Sequence, residues 1–139
     1  MKIKCAYRVR DEKRGNMNTY AKYNQSEEDY LESILTLSAE QEVVHRIDVA
    51  KRMNVSQAAV NKAMKLLVEK DYIYEEGKHL YLTLAGKSYA EAVYEKHCII
   101  REYLLSCGVS AAAAEEDACH MEHLISEETF EMMKKSVRR

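Results

Sequence analysis

The segment DACHMEHLIS, residues 117–126, gathers a thiol, two imidazoles and a carboxylate within five consecutive residues. In a helix, Cys119, Glu122 and His123 stand at positions i, i+3 and i+4 and therefore share one face. Thiolates, carboxylates and imidazoles are all ligands of divalent transition metals. The spacing predicts part of a metal site, whereas His120 points to another face and is interpreted as a solvated residue.

Three ligands from one turn are too few to close a metal site, so further ligands must come from other parts of the chain. His97 lies on the apolar stripe of a second predicted helix, and Asp29 and Glu32 lie at i and i+3 beside the stripe of a third. Each has a simpler explanation, because a histidine on an apolar face is commonly a core residue and acids in a first helical turn are commonly caps. A buried cysteine is commonly a small apolar residue. The coincidence of all these residues favours the metal site.

Residues 46–83 have the order of a winged helix-turn-helix. RIDVAKRMN (46–54) predicts a short helix, and Ser56 follows as a suitable N-cap. QAAVNKAMKLLVEKD (57–71) predicts a longer amphipathic helix. In YIYEEGKHLYLT (72–83) the large apolar and aromatic residues recur at every second position, which predicts a β-hairpin with EEGK as its turn. The residues at these positions are Tyr72, Tyr74, Leu80 and Leu82. The predicted inward residues of the two helices are Ile47, Val49, Ala50, Met53, Val60, Ala63, Met64 and Leu67.

The outer face of 57–65 carries side chains suited to a DNA major groove. Gln57 and Asn61 can form paired hydrogen bonds with adenine, and Ala58 is small enough to approach a thymine methyl group. The alternative is that this face only meets water, as most such faces do. The order of the elements favours DNA, and the predicted DNA-binding residues are Ser56, Gln57, Ala58, Asn61, Lys62, Lys65 and, in the wing, Lys78.

Other elements complete the pattern. Residues 1–25 lack helical periodicity and are predicted to be a tail without regular structure. A helix is predicted to begin at Ser26 as its N-cap and to run to about Ser38. Three more helices are predicted at 84–108 (ended by Gly108), 110–126 and 127–139.

The composition limits the classes of protein. The chain has 139 residues, 47% of them hydrophobic, with no run able to cross a bilayer and no secretory signal. Its four cysteines form no CxxC pair, which favours free thiols in a cytoplasmic protein. The sequence also lacks an HExxH motif, a nucleophile elbow and a Gly-rich phosphate loop, so neither an enzyme nor a small-molecule substrate is expected.

The net charge of −2 is unevenly distributed. Segment 45–78 carries seven basic residues against five acids, whereas segment 79–128 carries three against nine. This asymmetry indicates one surface for a polyanion and another for a cation.

From about residue 26 to 130 the chain resembles the diphtheria toxin repressor and manganese transport regulator family of metal-dependent transcriptional repressors. The resemblance rests on EDYLESIL, DVAKRMNVSQAAVNKAMKLL, LYLTLAGKSYA, EKHCIIREYLLSCGV and DACHMEHLIS. It implies a mainly α fold, with an N-terminal winged helix-turn-helix and a small β-hairpin wing (26–84) followed by an all-helical dimerisation and metal-binding domain (85–139). It also implies a homodimer that binds double-stranded operator DNA near metal-uptake genes, with the metal as corepressor. The implied ligands are Asp29, Glu32, His97, Cys119, Glu122 and His123.

The chain departs from the family pattern at four positions. Some relatives have Glu where Arg101 stands, and some iron-type relatives have His where Glu115 stands. Both substitutions count against an ancillary metal site of either pattern, and Glu115 is the candidate ligand that could compensate. Asp29 is typical of manganese-type members and Cys119 of iron-type members. We therefore expect Fe²⁺ slightly ahead of Mn²⁺, with Zn²⁺, Co²⁺ or Ni²⁺ binding in vitro. No SH3-like domain of the longer members is expected.

Two rival functions remain open from the sequence. One is a winged-helix transcription factor that responds to a signal other than metal, with Cys119 as a redox sensor. The other is a metalloenzyme with an open coordination position.

Overall fold

The computed structural model describes residues 19–138, with side chains from residue 26 onward. This part of the chain contains six helices and one β-hairpin, which confirms the mainly α fold with a winged helix-turn-helix. The elements are α1 (Thr19–Glu40), α2 (Arg46–Met53), α3 (Gln57–Glu69), β1 (Ile73–Glu76), β2 (His79–Leu82), α4 (Leu84–Ser106), α5 (Ala111–Met121) and α6 (Glu127–Val137). The chain divides into two units after Glu91, within α4. No helix of residues 19–138 is both long and apolar enough to span a bilayer.

The first unit is built around the apolar faces of α1, α2, α3 and the hairpin. The inner residues of α3 are Val60, Met64 and Leu67, each no more than 2% exposed, as the helical spacing predicts. Ile34 of α1 and Ile73 of β1 belong to the same buried cluster. Burial of this stripe holds α3 with its opposite face outward.

Local backbone conformation and hydrogen bonds determine where α2 ends and α3 begins. Asn54 adopts a left-handed conformation (φ 52°) and ends α2. Ser56 then acts as the N-cap of α3, because its Oγ accepts a hydrogen bond from the Ala59 N–H at 3.1 Å. The break between the two helices is therefore the one that the sequence predicts.

The first helix begins earlier than predicted. It starts at Thr19, so residues 19–25 are helical and not a tail, while residues 1–18 lie outside the described part. Ser26 is consequently not an N-cap, and Asp29 and Glu32 are not in a first turn. The capping explanation for these two acids is therefore wrong.

The inward prediction for Ile47 is also wrong, since this side chain is 53% exposed. Val49 and Ala50 carry the buried face of α2 instead, and Met53 packs partly against the cluster. A helix of eight residues presents only a narrow inner face, and Ile47 falls outside it.

The hairpin is tighter than EEGK suggested. Glu76 pairs with His79, so only Gly77 and Lys78 form the turn, and Gly77 has the positive φ of 62° that this turn requires. The buried positions are Ile73 and Leu80, whereas Tyr74 faces outward and is 44% exposed. The predicted alternation is therefore correct, but in β1 it is shifted by one residue.

Gly86 marks a close approach within the first unit. A Cβ atom at this position would lie 1.8 Å from the backbone oxygen of Tyr72. Only glycine allows the first turn of α4 to approach the residue that precedes β1 in this way.

The second unit contains the rest of α4 together with α5 and α6. Its buried residues include Ile100, Ala114, Ala118 and Phe130. The helix predicted for 110–126 ends at Met121, with Glu122 as its C-cap. Gly108 (φ 93°) follows the end of α4 and allows the chain to turn, as predicted.

Candidate metal centre and DNA-binding surface

His97 is the most deeply buried of the candidate metal ligands, with no exposed surface. Its Nδ1 lies 2.9 Å from Oε2 of Glu122, and its Nε2 lies 3.0 Å from Oε1 of Glu115. A neutral imidazole has one N–H and one lone pair, so it can donate to only one of these carboxylates. The second contact therefore requires a further proton, on the ring or on the carboxyl group, or a cation bound beside them.

Cys119 adds a sulfur donor to the same group. Its Sγ lies 3.7 Å from Nδ1 of His97. Burial raises the pKa of the Cys119 thiol, while the hydrogen bond with His97 opposes that rise. His97, Glu115 and Cys119 each offer one ligand atom, and these atoms lie within 4.8 Å of one another. The second unit therefore brings together nitrogen, oxygen and sulfur donors by itself.

Glu122 and His123 lie just after the end of α5. The side chains of Glu122 and His123 are 2% and 1% exposed, and His123 Nε2 lies 3.2 Å from Glu122 Oε1. Glu122 retains helical backbone angles (φ −57°, ψ −27°), so the spacing from Cys119 remains close to that of a helix. Cys119 and Glu122 both lie near Nδ1 of His97, although the helix is shorter than predicted.

Asp29 and Glu32 belong to α1 of the first unit. They are 4% and 2% exposed, in the interior of a helix of 22 residues. Burying a carboxylate is unfavourable unless a positive charge or several hydrogen bonds compensate it. Asp29 also contributes, after burial, to the raised pKa of Tyr30.

The donor set fits a divalent transition metal. The structure describes six polar or charged residues as buried, and four of them are predicted ligands: Asp29, Glu32, His97 and Glu122. Within the second unit, two imidazoles, two carboxylates and a thiol are all ligand types of divalent transition metals. The first unit contributes two further buried carboxylates, Asp29 and Glu32.

Glu115 connects this group to a cationic side chain. While Oε1 of Glu115 faces His97, its Oε2 accepts a hydrogen bond from Nη1 of Arg101 at 3.3 Å. Arg101 therefore places a guanidinium beside Glu115. His120 is partly buried, and its Nδ1 lies 2.9 Å from the backbone oxygen of Glu116, so the interpretation of His120 as a solvated residue was wrong.

The predicted DNA-binding residues lie on exposed surface of the first unit. Ser56, Gln57, Ala58, Asn61, Lys62 and Lys65 are all exposed on α3 or at its N-cap. Lys78 is exposed in the turn of the hairpin. The structure thus presents a polar outer face on the second helix of the helix-turn-helix, with one further lysine at the tip of the wing.

Arg46 is a residue that the sequence did not single out. Its Nη1 donates to Oδ1 of Asn61 at 3.0 Å, and its Nε donates to Oε2 of Glu75 at 3.0 Å. The hydrogen bond with Glu75 is the main cause of the raised pKa of Arg46. No local signal marks Arg46, because its partners lie 15 and 29 residues away in the chain.

Comparison with known proteins matches two family models to most of the chain. Residues 22–80 match the iron dependent repressor, N-terminal DNA binding domain, and residues 83–139 match the iron dependent repressor, metal binding and dimerisation domain. The transcriptional regulator MntR of Escherichia coli O157:H7 is 37% identical over 105 residues, which cover 75% of this chain and 68% of that protein. An uncharacterized HTH-type transcriptional regulator of Methanocaldococcus jannaschii is 33% identical over 114 residues, which cover 80% of this chain and 91% of that protein.

Solved structures share the architecture. The manganese regulator SloR is 30% identical with a TM-score of 0.71, and the match covers 81% of this chain and 53% of SloR. IdeR of T. acidophilum, at 24% identity, has a TM-score of 0.73 over 81% of this chain and 54% of that protein, a likeness that concerns the fold alone. The chain thus spans about half the length of these two solved proteins. The matched families and relatives are DNA-binding regulators and not enzymes. The chain belongs to the iron-dependent repressor family, the metal-dependent transcriptional repressors typified by the diphtheria toxin repressor and the manganese transport regulator.

Proposed function

We propose that this chain is a cytoplasmic, homodimeric repressor that binds operator DNA when loaded with Fe²⁺ or Mn²⁺ and controls genes of metal-ion homeostasis. The proposed ligands are Asp29, Glu32, His97, Cys119, Glu122 and His123. The observation that carries the proposal is that Asp29, Glu32, His97 and Glu122 are buried, and that all four are of residue types that bind divalent transition metals.

The chain's own residues suit this role. A bound divalent cation would be stabilised by the negative charge of three buried carboxylates and by the lone pairs of two imidazoles. His97 and Glu122 already lie within hydrogen-bond distance, so little rearrangement of these two side chains is needed for both to act as ligands. Glu115, on the other side of the His97 ring, is the proposed ligand of an ancillary ion.

The proposed ligands come from both units, and this would link metal binding to DNA binding. Asp29 and Glu32 belong to the unit that carries α3, whereas the other four ligands belong to the second unit. Shared ligation would restrict the orientations of the DNA-binding unit. In a two-fold dimer this would favour a separation of about 34 Å between the two copies of α3, one turn of DNA. Linkage then requires that operator DNA tighten metal binding by the same factor.

The proposed boundary between the domains lies at the start of α4, seven residues before the division of the two units after Glu91. Residues 1–25 would form an N-terminal segment, 26–84 the DNA-binding domain, and 85–139 the dimerisation and metal-binding domain. DNA contact is assigned to Ser56, Gln57, Ala58, Asn61, Lys62, Lys65 and Lys78.

The test is metal-dependent DNA binding by the full chain. Duplexes are selected from a random pool in the presence of Mn²⁺, and binding to the selected duplex is measured by fluorescence anisotropy with chelator, Mn²⁺ or anaerobic Fe²⁺. We expect affinity to rise at least about tenfold with metal, the effect of a coupling near 1.4 kcal/mol. Equal affinity with metal and with chelator would contradict the proposal. Affinity that instead follows dithiothreitol and peroxide would support the redox alternative.

A further inference from the structure

We propose that Arg46 determines part of the DNA sequence preference by fixing the orientation of the Asn61 amide, so that Asn61 offers N–H donors to the major groove. This inference rests on the proposed DNA binding through α3. It concerns a residue outside α3 that acts through Asn61, and Arg46 is therefore a positioning residue.

Arg46 is held from two directions. Its Nε and Nη2 both donate to the carboxylate of Glu75 on β1, which forms a two-pronged ion pair. The remaining terminal nitrogen, Nη1, donates to Oδ1 of Asn61 on α3 at 3.0 Å. The side chains of Arg46 and Glu75 are 32% and 23% exposed, so the pair is partly shielded from water. One guanidinium thus connects α2, β1 and α3.

The donor character of arginine fixes the Asn61 amide. A guanidinium has five N–H donors and no acceptor, so the Asn61 atom that faces it must be the oxygen. Nε2 of Gln57 also approaches this oxygen, at 3.3 Å. The two lone pairs of Oδ1 are then both used, and a flip of the amide would place its NH₂ group against two donors. Among residues 26–138, whose side chains the structure describes, no group accepts a hydrogen bond from Asn61 Nδ2.

The same constraint extends to Gln57. Because Nε2 of Gln57 is directed at Asn61, its Oε1 is the atom left for an outside partner. The exposed face of α3 would therefore offer a donor at Asn61 and an acceptor at Gln57, one helical turn apart. This differs from paired recognition of adenine by each amide, which needs a donor and an acceptor on the same side chain.

The preferred base opposite Asn61 follows from this polarity. Guanine presents two acceptors (N7 and O6) in the major groove and thymine presents one (O4), so either can accept from Nδ2. Adenine also has an acceptor (N7), but its N6–H₂ group would face an oxygen that is already occupied. We therefore expect guanine or thymine, rather than adenine, as the base that Asn61 contacts.

The first experiment uses metal-loaded full chain and selection from randomised duplexes. Asn61→Ala locates the base position at which preference is lost. We expect guanine or thymine there in the unmodified protein, by about tenfold over adenine. Adenine at that position, or no position that responds to Asn61→Ala, would overturn the inference while leaving metal-dependent DNA binding intact. If no duplex is selected at all, the proposed function fails and this inference with it.

The second experiment removes the constraint. In Arg46→Leu the Asn61 amide can rotate, so adenine should become tolerated at the mapped position, with a change in relative preference of about tenfold. Arg46→Lys retains a donor and should keep most of the original preference. Arg52→Leu is the matched control, because Arg52 is on the same helix but bonds to Thr36 and Glu40 instead. A uniform loss of affinity in Arg46→Leu, with unchanged base preference, would show that Arg46 is only structural.

Discussion

Nδ1 of His97 and Oε2 of Glu122 lie 2.9 Å apart, and both side chains are almost completely buried. The first residue comes from the middle of α4 and the second from the C-cap of α5, 25 positions later in the chain. Because the local dielectric is low in the interior, a buried carboxylate and the imidazole that it contacts both interact strongly with any nearby charge. This pair belongs to the part of the proposed metal centre that the second unit contributes, together with Cys119 and His123.

Removal of the Glu122 carboxylate should weaken metal-stimulated DNA binding without preventing dimer formation. Glu122→Ala deletes a buried oxygen donor, so we expect metal-stimulated DNA binding to fall at least about tenfold. The dimer should persist, as measured by analytical ultracentrifugation. Glu102→Ala, which removes an exposed acid from α4, is the control and should leave the response unchanged. Repression that survives Glu122→Ala would place the metal site elsewhere.

The proposed sulfur ligand should influence which metal binds. Cys119→Ser replaces a soft donor with a hard one, so affinity for Zn²⁺ or Fe²⁺ should fall more than affinity for Mn²⁺, by about tenfold in their ratio. Competition with a fluorescent chelator measures this ratio, with exposed Cys107→Ser as the control. If Cys119→Ser leaves the metal ratio unchanged but removes a response to peroxide, the thiol is a redox sensor rather than a ligand.

Lys62 should contribute to DNA affinity without affecting the metal site. It is exposed on α3, and loss of one phosphate contact reduces the slope of log affinity against log salt concentration by about 0.9. Lys62→Ala should therefore weaken operator binding most at low salt, while the metal affinity of the DNA-free protein stays the same. Lys87→Ala removes the same charge from an exposed position on α4 and serves as the control. Equal effects of both substitutions would mean that only the total charge matters.

Gly86 should be intolerant of any side chain. A Cβ would lie 1.8 Å from the Tyr72 backbone oxygen, so Gly86→Ala should lower the free energy of unfolding by about 2–3 kcal/mol. Thermal or urea denaturation measures this. Gly77→Asn is a suitable comparison, because a Cβ there meets nothing within 4 Å and asparagine tolerates the positive φ. A stable Gly86→Ala protein would contradict the close approach of α4 to Tyr72.

Local patterns predicted the elements of this protein well. The period of apolar residues in 57–71 indicated the buried stripe of α3, and the serine before it indicated the N-cap, because both depend only on neighbours within one or two turns. The alternation in 72–83 indicated the hairpin. The ends of elements were less predictable: α1 begins seven residues before Ser26 and α5 stops five residues before Ser126, since side-chain periodicity and possible caps do not determine where the backbone leaves the helix.

By itself the sequence determined the fold class, the residue types available to bind a metal, and the polar outer face of α3, because these follow from spacing along the chain. Only the tertiary structure decided that Asp29 and Glu32 are buried within a helix rather than capping one, that His97 faces two carboxylates, and that Arg46 donates to the Asn61 amide oxygen. Each of these depends on groups brought together from distant positions. Packing determines which of these groups are buried and which act as hydrogen-bond donors or acceptors. The spacing of residues along the chain does not predict this packing.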